Sequence, residues 1–456
     1  MNDKGKGILG YLPDEKPSTG KLIFFALQQI LVMFPATVLV ALLTGFHIST
    51  TIFASGLATL CFIFITKGKI PLFYGSSFSY IAAIVGITGA KFGVPAADAL
   101  ISQAQFGIIC SGLVSIIAGL IVSRFGIESI EKVLPPTITG SIALVIGISL
   151  AGTAITNAIG LSTSTTFVDA NNATISLSLS AASGNMWIAA LITLLATILF
   201  SVYLKGVWGQ LPILLGIVVG YAASIPLGLI DFTSIWQGKV LAVPHFTLPT
   251  VSWPALLAIM PIAIATIPES TAHLFQLDLY VDELAEKKGK GKYGIANKLG
   301  LNLIGDGIGD IVSSLFGGPA GTNYGENLST MAITKNFSVW VLGAAAVFTM
   351  VISFFQPLTD AVRSIPSAVI NGACIYLFGV IAAQGIAIMI NRKVNMFSAR
   401  NLAVIATILV IGLGGTYGFA GGMIPFFGAK LPAIATASVF GIVLNLLLSI
   451  GKKQED

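Results

Sequence analysis

Two glutamates lie in segments that otherwise have the composition of membrane spans. Glu269 lies within the apolar stretch 261–273, and Glu326 follows a run of glycine and polar residues at 317–325. A carboxylate near the centre of a bilayer costs about 3 kcal/mol even on lenient insertion scales, so it indicates a functional site. Glycine and proline also break the segment around Glu326, a feature that marks substrate sites in transporters. We therefore predict that both carboxylates belong to a ligand or proton site.

Two further pairs of titratable residues have helical spacing. His273 follows Glu269 by four residues, so both side chains share one helix face and can form a proton-accepting pair. The alternatives for this pair are a structural contact between helices, or a solvated His273 near the cytoplasmic boundary. Asp306 and Asp310 are also four residues apart. For Asp306 we predict a proton relay or support of the site, and for Asp310 we favour a structural helix contact.

The sequence offers no enzyme signature. It has no phosphate-binding loop and no Ser/His/Asp order with a supporting frame, and a zinc hydrolase built on His273 would need a second histidine at helical spacing. His47 and His245 fall in predicted external loops, where we expect them to be solvated. We therefore predict no enzyme, no metal site and no cofactor beyond a coupling proton. A channel is an alternative, although buried carboxylates and broken helices favour an occluded site.

These residues must be positioned by a membrane domain. The 456 residues are 55% apolar and 9% charged, whereas soluble proteins carry about 25% charged residues. A span needs about 20 apolar residues, and the sequence predicts fourteen, at 20–44, 49–66, 71–90, 103–123, 134–155, 186–204, 210–229, 251–275, 295–315, 319–334, 337–359, 366–391, 401–418 and 432–450. We number them one to fourteen. The net charge of +5 is explained by basic loops, so we expect no nucleic-acid partner.

The positions of lysine and arginine orient the spans. With the polar segment 1–19 placed in the cytoplasm, 20 of the 24 lysines and arginines fall on the cytoplasmic side. The four on the other side are Lys91, Lys239, Arg363 and Lys430. Cytoplasmic loops are enriched in these residues, so the distribution predicts fourteen spans with both termini in the cytoplasm. Fourteen divides into two halves of seven, and an odd number per half requires that any repeat be inverted.

Spans three and ten are the third spans of the two halves, and both are broken by glycine. Span three opens with Tyr74–Phe78, and span ten contains Tyr324–Asn327. Free backbone groups at membrane depth are tolerated where they line a cavity, and helix N-termini there can bind a polar ligand. Phe78 and Tyr324 could provide an aromatic wall. The alternative is that the glycines only permit close helix packing.

Taken together, these motifs resemble the nucleobase–ascorbate transporter family, and within it the bacterial uracil permeases. The resemblance covers nearly the whole chain. It is carried by residues 27–39 in span one, by Gly75–Phe78 in span three, and by Thr322–Asn327 with Met331–Lys335 in span ten. The span-ten stretch is the most specific of these motifs.

The resemblance implies an architecture. Members of the family are all-α membrane proteins with two inverted seven-helix repeats and short strand segments in spans three and ten. Spans one to four (20–133) and eight to eleven (251–359) would form a core domain. Spans five to seven (134–230) and twelve to fourteen (366–450) would form a gate domain. Substrate would bind between the two domains. Family members often form dimers through the gate domain, and the sequence does not decide whether this chain does.

The resemblance also implies roles for individual residues. Glu269 would hydrogen-bond the base, and His273 would take part in proton coupling, as would Glu326 in span ten. The other positions matched to the family's binding site are Phe78 and Gly325 through their backbone amides, Ala36 in span one, Asp306 in span nine and Phe378 in span twelve.

Three residues depart from the family pattern. Gln29 stands where a histidine is usual, Ser329 where a glycine is usual, and Phe378 where the uracil permeases have a tyrosine. Any of them could shift the substrate to thymine, another pyrimidine or a purine. Purine-transporting members tend to carry glutamine at the position of Glu326, which favours uracil here.

The resemblance therefore implies a proton-coupled importer of a nucleobase, with uracil expected, in the cytoplasmic (inner) membrane of a bacterium. Transport would use alternating access between core and gate. Its partners would be the nucleobase, protons and membrane lipid. The alternative is a xanthine, urate or guanine permease of the same fold, and the distant alternatives are an intramembrane enzyme or a channel.

Overall fold

The computed structural model describes residues 10–160, 163–164, 178–179, 183–230, 232, 239–426 and 429–450. The helices within these residues are α1 Thr19–Thr44, α2 Ile48–Ile65, α3 Ile81–Thr88, α4 Asp98–Phe125, α5 Glu128–Val133, α6 Pro136–Ala158, α7 Gly184–Tyr203, α8 Pro212–Ser224, α9 Trp253–Ile259, α10 Ala263–Lys287, α11 Leu299–Leu315, α12 Gly325–Thr334, α13 Val339–Ile352, α14 Gln356–Arg363, α15 Ser367–Asn391, α16 Ala399–Gly418 and α17 Ala433–Leu447. The strands are β1 Tyr74–Ser76, β2 Thr163–Ser164, β3 Ser178–Leu179, β4 Gly321–Asn323, β5 Met423–Phe426 and β6 Ala429–Pro432.

The predicted spans correspond one by one to these elements, and the chain is a multi-pass membrane protein. Within the described ranges, eight helices are long and apolar enough to cross a membrane, and four shorter ones are apolar. Spans nine and ten, formed by α11 and by β4 with α12, are not among these apolar helices, and they carry Asp306, Asp310 and Glu326. Span eight is α9 and α10 joined by one 3₁₀ turn. We call the face carrying 287–298 the inner face and the face carrying 89–97 the outer face.

Two short helices were not predicted, and they strengthen the repeat. Helix α5 follows span four and α14 follows span eleven, and each leads through a proline into the next span. The prediction that span eleven continues to 359 was wrong over 353–359, because α13 ends at Ile352 and Pro357 lies in the first turn of the separate helix α14. Proline is favoured in a first helical turn because its missing N–H has no partner there.

Helix contacts follow the inverted repeat. Helix α4 packs on α11 and α2 packs on α13, which joins span four to nine and span two to eleven. The inverted repeat relates each span to the span seven places later, so the contact between spans four and nine corresponds to the contact between spans eleven and two. The contact between α6 and α15 joins spans five and twelve, which are themselves related by the repeat. The contacts are close: a Cβ on Gly307 would lie 2.3 Å from the carbonyl oxygen of Gly112, and one on Gly56 would lie 2.6 Å from that of Ala346. Small residues of this kind let membrane helices approach closely.

The segment before α1 is fixed to the inner face. The Tyr11 amide donates to the Lys335 carbonyl (2.8 Å), and the Phe337 amide donates to the Tyr11 carbonyl (2.8 Å). Burial alone would raise the pKa of Glu15, but hydrogen bonds from Lys288, the Leu12 amide and Lys290 together outweigh it and lower the pKa to about 2. This part of the predicted cytoplasmic segment 1–19 therefore packs on the protein, whereas residues 1–9 lie outside the described residues.

Candidate functional site

The centre of the site is a two-stranded ribbon made by the two broken spans. β1 and β4 are antiparallel, with Gly75 opposite Thr322. The amide of Tyr324 donates to Phe73 (2.9 Å), and that of Ser77 donates to Ala320 (2.9 Å). The extended segments thus pair their backbone groups with each other, which satisfies them away from water. The prediction of short broken segments in spans three and ten is confirmed.

A helix begins at the end of each strand. After β1, Phe78–Tyr80 form a 3₁₀ turn that leads into α3, and after β4, Gly325 is the first residue of α12. Ser77 caps the first of these turns by accepting a hydrogen bond from the Ser79 amide (3.3 Å). Helix N-termini carry unpaired N–H groups and partial positive charge. Two such ends beside one ribbon suit a ligand with carbonyl oxygens.

Tyrosines and glycines lock the ribbon to its surroundings. The ring of Tyr74 lies where a Cβ on Gly309 or Gly321 would be, 2.6 and 2.3 Å from its atoms. Its hydroxyl donates to the Asp310 carboxylate (2.5 Å), which also accepts from the Gly321 amide (2.8 Å). Asp310 therefore holds β1 and β4 to α11, a structural contact.

Tyr324 lies behind the ribbon. Its ring atoms are 2.3 Å from the Cβ position of Gly75, its hydroxyl donates to the Ser76 carbonyl (3.0 Å), and Thr37 lies 3.1 Å from that hydroxyl. The side chain is only 3% exposed. Its role as an aromatic wall stays a prediction, and the contacts show that it supports the site through Gly75. Ala36, also buried, is the neighbour of Thr37 on α1.

The two glutamates predicted from the sequence meet at this ribbon. Glu269 on α10 and Glu326 in the first turn of α12 are half-buried, and their carboxylates are close enough to interact electrostatically. Ser79, in the turn that contains half-buried Phe78, lies close enough to act on the Glu269 carboxylate. Spans three, eight and ten thus converge on one pair of carboxylates, which can accept N–H donors of a ligand and exchange a proton.

His273 lies one turn of α10 beyond Glu269 and touches the start of α12. Its Nε2 is 2.8 Å from the position of a Cβ on Gly325, so a larger residue there would displace the imidazole ring. The ring also lies close to the backbone of Asn323, and its Nδ1 is buried and has no hydrogen-bond partner among the described protein atoms. The histidine therefore contacts both strand β4 and the helix that carries Glu326.

Asp306 lies beneath these groups in a polar network that the sequence analysis did not identify as a unit. It accepts a hydrogen bond from the Ser270 hydroxyl. That hydroxyl also accepts from the side-chain amides of Asn302 (2.7 Å) and Asn323 (3.1 Å). Ser270 directly follows Glu269, so a small polar residue beside the carboxylate was the available signal. The network joins α10, α11 and β4, and it links Asp306 to the ribbon.

Gln29, one of the departures from the family pattern, has a defined partner. Its side-chain and backbone oxygens accept hydrogen bonds from the Asn327 amide at 2.7 and 3.0 Å. Asn327 follows Glu326 in the first turn of α12. The glutamine therefore fixes α1 to the helix that carries the span-ten carboxylate, and it does so without a titratable group.

A cavity of about 1080 Å³ lies on the outer side of the ribbon. Its lining includes Ile81, Ile262, Phe378 and Tyr417, which come from spans three, eight, twelve and thirteen. The glutamates are not part of this lining, but Ile81 follows the 3₁₀ turn directly and Ile262 precedes Glu269 by two helical turns. The cavity therefore leads from the outer face towards the site.

The external histidines are not simply solvated, contrary to expectation. The imidazole nitrogens of His47 and His245 lie 3.5 and 2.8 Å from the carboxylate oxygens of Asp98. Burial, with smaller effects from His245 and Arg363, lowers the pKa of His47, and the hydrogen bond from His245 lowers the pKa of Asp98. Residues distant in sequence form this cluster, so spacing alone could not predict it.

The inverted fold and the paired carboxylates at broken helices define a membrane transport protein. The chain belongs to the Permease family, whose family model matches residues 20–421. It is 36% identical over 95% of its length to the uracil permease of Bacillus caldolyticus, of which it covers 93%. It is 32% identical over 96% of its length to the uracil permease of Escherichia coli strain K12 (93% covered), and 33% identical over 96% to the putative pyrimidine permease RutG of that strain (91% covered).

Solved structures confirm the fold. The murine Slc26a9 anion transporter in the inward-facing state aligns over 99% of this chain and 73% of its own, with a TM-score of 0.65 and 13% identity. The transmembrane domain of the cyanobacterial bicarbonate transporter BicA aligns over 94% of this chain and 97% of its own, with a TM-score of 0.54 and 14% identity. The resemblance seen in the sequence motifs and the fold class are thus confirmed, and the family is one of transporters, not of enzymes.

Proposed function

We propose that this permease imports uracil together with protons. The observation that carries the proposal is the meeting of Glu269 and Glu326 beside two helix N-termini, in a chain whose relatives are named uracil permeases. Uracil presents two N–H donors and two carbonyl acceptors. Carboxylates match the donors, and the backbone amides of Phe78 and Gly325 match the acceptors. Hydrogen bonds to charged groups contribute about 1.5–3 kcal/mol each, enough to select a base by its edge.

The helix contacts support two moving bodies. Spans one to four and eight to eleven pack around the ribbon as the proposed core, and spans five to seven and twelve to fourteen pack around α6 and α15 as the proposed gate. Phe378 of the gate faces the cavity beside Ile81 of the core. Movement of gate against core would close the outer cavity and open the site inward. Cytoplasmic loops are enriched in lysine and arginine, so the basic loops support the proposal that the inner face lies in the cytoplasm of a bacterium.

The proposed coupling of uracil transport to protons follows from the like charges of Glu269 and Glu326. Two carboxylates that share a site resist simultaneous ionisation, so a proton on one of them is part of the loaded state. Glu269 is the proposed proton carrier, with His273 and Glu326 as partners and Asp306 supporting α10 from below. Import driven by a proton gradient would then require both the base and the proton before the site closes. A coupling proton is the one ion that this transport cycle requires.

Ligand-induced thermal stabilisation tests the substrate. A ligand that binds only the folded protein raises its melting midpoint by mass action. We expect uracil to raise the midpoint, and to do so more at pH 5.5 than at pH 7.5. Xanthine, urate and guanine should have little effect. If only xanthine raised the melting midpoint, the family assignment would stand but the substrate would be a purine. If no base raised the midpoint, the result would contradict the proposal.

The variant Glu326→Gln distinguishes a uracil permease from a purine permease. In a uracil site the substitution replaces an acceptor by a group that is half donor, so we expect uracil affinity to fall at least tenfold. A purine permease should tolerate it, since a glutamine at this position is typical of purine transporters in the family. The measurement is competition of labelled uracil by a panel of bases in membrane vesicles. Unchanged uracil competition, or a gain for xanthine without a loss for uracil, would contradict the assignment.

A further inference from the structure

Three side chains from distant parts of the sequence meet on the outer face. His47 precedes α2, Asp98 opens α4, and His245 lies in the connection before span eight. The Nε2 atoms of the two histidines lie 3.5 and 2.8 Å from the two carboxylate oxygens of Asp98. The imidazole rings are 4.3 Å apart between centroids. One potential ligand atom from each residue lies within 4.8 Å of the others.

We propose that His47, Asp98 and His245 form a binding site for a divalent transition-metal ion of the Zn²⁺ type. Zinc binds histidine nitrogen and carboxylate oxygen at about 2.0–2.2 Å, which places its ligand atoms about 3–3.5 Å apart. The two nitrogen–oxygen separations, 2.8 and 3.5 Å, lie at or near the limits of that range. Two imidazoles and one carboxylate select zinc and neighbouring transition ions over Ca²⁺ or Mg²⁺, which prefer oxygen ligands. Water would complete the coordination.

The backbone around the ligands is already fixed. The Thr50 hydroxyl donates to the His245 carbonyl (2.6 Å), and the Thr51 amide donates to the His47 carbonyl (2.9 Å). Phe246, next to His245, packs edge-on against Phe53 of α2 with centroids 5.2 Å apart. A metal ion therefore finds its ligands in place and does not have to order a free loop, which lowers the cost of binding.

The site is open to the outer solution. The side chains of Asp98 and His245 are 56% and 52% exposed, whereas that of His47 is 17% exposed and forms the floor. Arg363, at the end of α14, is a positive charge that acts on His47, and the negative charge of the Asp98 carboxylate offsets it for a bound cation. A bound ion would join the connections that follow spans one, three and seven. It would thus stabilise the outer side of the proposed core, independently of which substrate is carried.

Zinc binding to the purified protein tests the site. The protein is produced without a histidine-containing tag, so that its own three histidines are the only ones present. We expect Zn²⁺ to bind once per chain in calorimetry and to raise the melting midpoint, and EDTA to reverse the effect. His47→Gln with His245→Gln should weaken binding at least tenfold, as should Asp98→Asn. The exposed single variant His245→Gln provides the same test if the double variant fails to fold.

His273→Gln is the matched control, because it removes the remaining histidine and lies far from the outer face. It should retain full zinc affinity, whatever its effect on transport. Cobalt in place of zinc should give a visible absorption spectrum in the wild type that is lost in His245→Gln. The proposal is overturned if wild-type protein shows no saturable zinc binding, or if binding survives in the double variant and Asp98→Asn. Neither outcome depends on uracil transport, so it leaves the proposed function untouched.

Discussion

Glu269→Gln is expected to abolish accumulation of uracil against a gradient while leaving the protein folded. Glutamine has the size of glutamate but cannot carry the proton, and it offers an N–H₂ group where the base needs an acceptor. Glu269 and Glu326 repel each other when both are charged, so removing one charge should not lower the melting midpoint. The measurement is uptake of labelled uracil by vesicles under an imposed proton gradient, which we expect to fall to background.

Glu283→Gln is the matched control for this experiment. It makes the same chemical change on the same helix α10, at an exposed residue paired with Lys287 on the inner face. Exposed ion pairs contribute about 0–1 kcal/mol, so uptake and stability should both remain near wild type. Full accumulation by Glu269→Gln would exclude this carboxylate as the proton carrier. Loss of uptake in both variants would show that the effect is not specific to the site.

Uptake by exchange distinguishes the two roles proposed for Glu269. Exchange of labelled against unlabelled uracil needs binding and movement, but no net proton flux. If Glu269 both binds the base and carries the proton, exchange should be lost together with accumulation. Retained exchange with lost accumulation would limit Glu269 to coupling and leave recognition of the base to Glu326 and the backbone amides.

The sequence predicted the fold because two independent signals agreed. Apolar runs of membrane length gave the spans, and the asymmetry of lysine and arginine checked their number. Helix ends were less predictable: the sequence did not reveal that the last part of predicted span eleven is the separate helix α14. An apolar run indicates that a segment is buried or faces lipid, but it does not show where one helix ends and the next begins. Residues 353–359 therefore resemble the end of a span, although Pro357 lies in the first turn of a new helix.

The site residues that could be predicted from the sequence are the charged side chains within apolar segments. Charged residues such as Glu269, Glu326 and Asp306 stand out in an apolar chain because burial makes them costly. Neutral polar residues give no such contrast. Ser270 and Asn323, which link Asp306 to the ribbon, are ordinary in composition, and their importance comes from tertiary contacts. The same holds for His47 and His245, whose partner Asp98 is at least 51 residues away in sequence.

Gly75→Ala is expected to destroy the site without touching a charged group. The added Cβ would lie 2.3 Å from ring atoms of Tyr324, closer than any real contact. That ring is held by hydrogen bonds of its hydroxyl to Ser76 (3.0 Å) and Thr37 (3.1 Å), so it cannot turn away. Overpacking of this kind costs about 1–3 kcal/mol or more. We therefore expect a lower melting midpoint and loss of uracil-induced stabilisation.

Gly343→Ala is the control that separates steric conflict from the general effect of removing a glycine. Gly343 lies in α13, and among the described residues no atom beyond its own helix backbone and chain neighbours lies within 4 Å of its Cβ position. Alanine there should be neutral or slightly stabilising, since glycine in a helix costs about 1 kcal/mol relative to alanine. Adding Tyr324→Ala to Gly75→Ala removes the ring that the new methyl group meets, so it should restore part of the stability. Because Tyr324 also supports the ribbon, that double variant should regain folding without regaining uptake. A Gly75→Ala protein that melts and transports like the wild type would show that the ribbon does not need this contact.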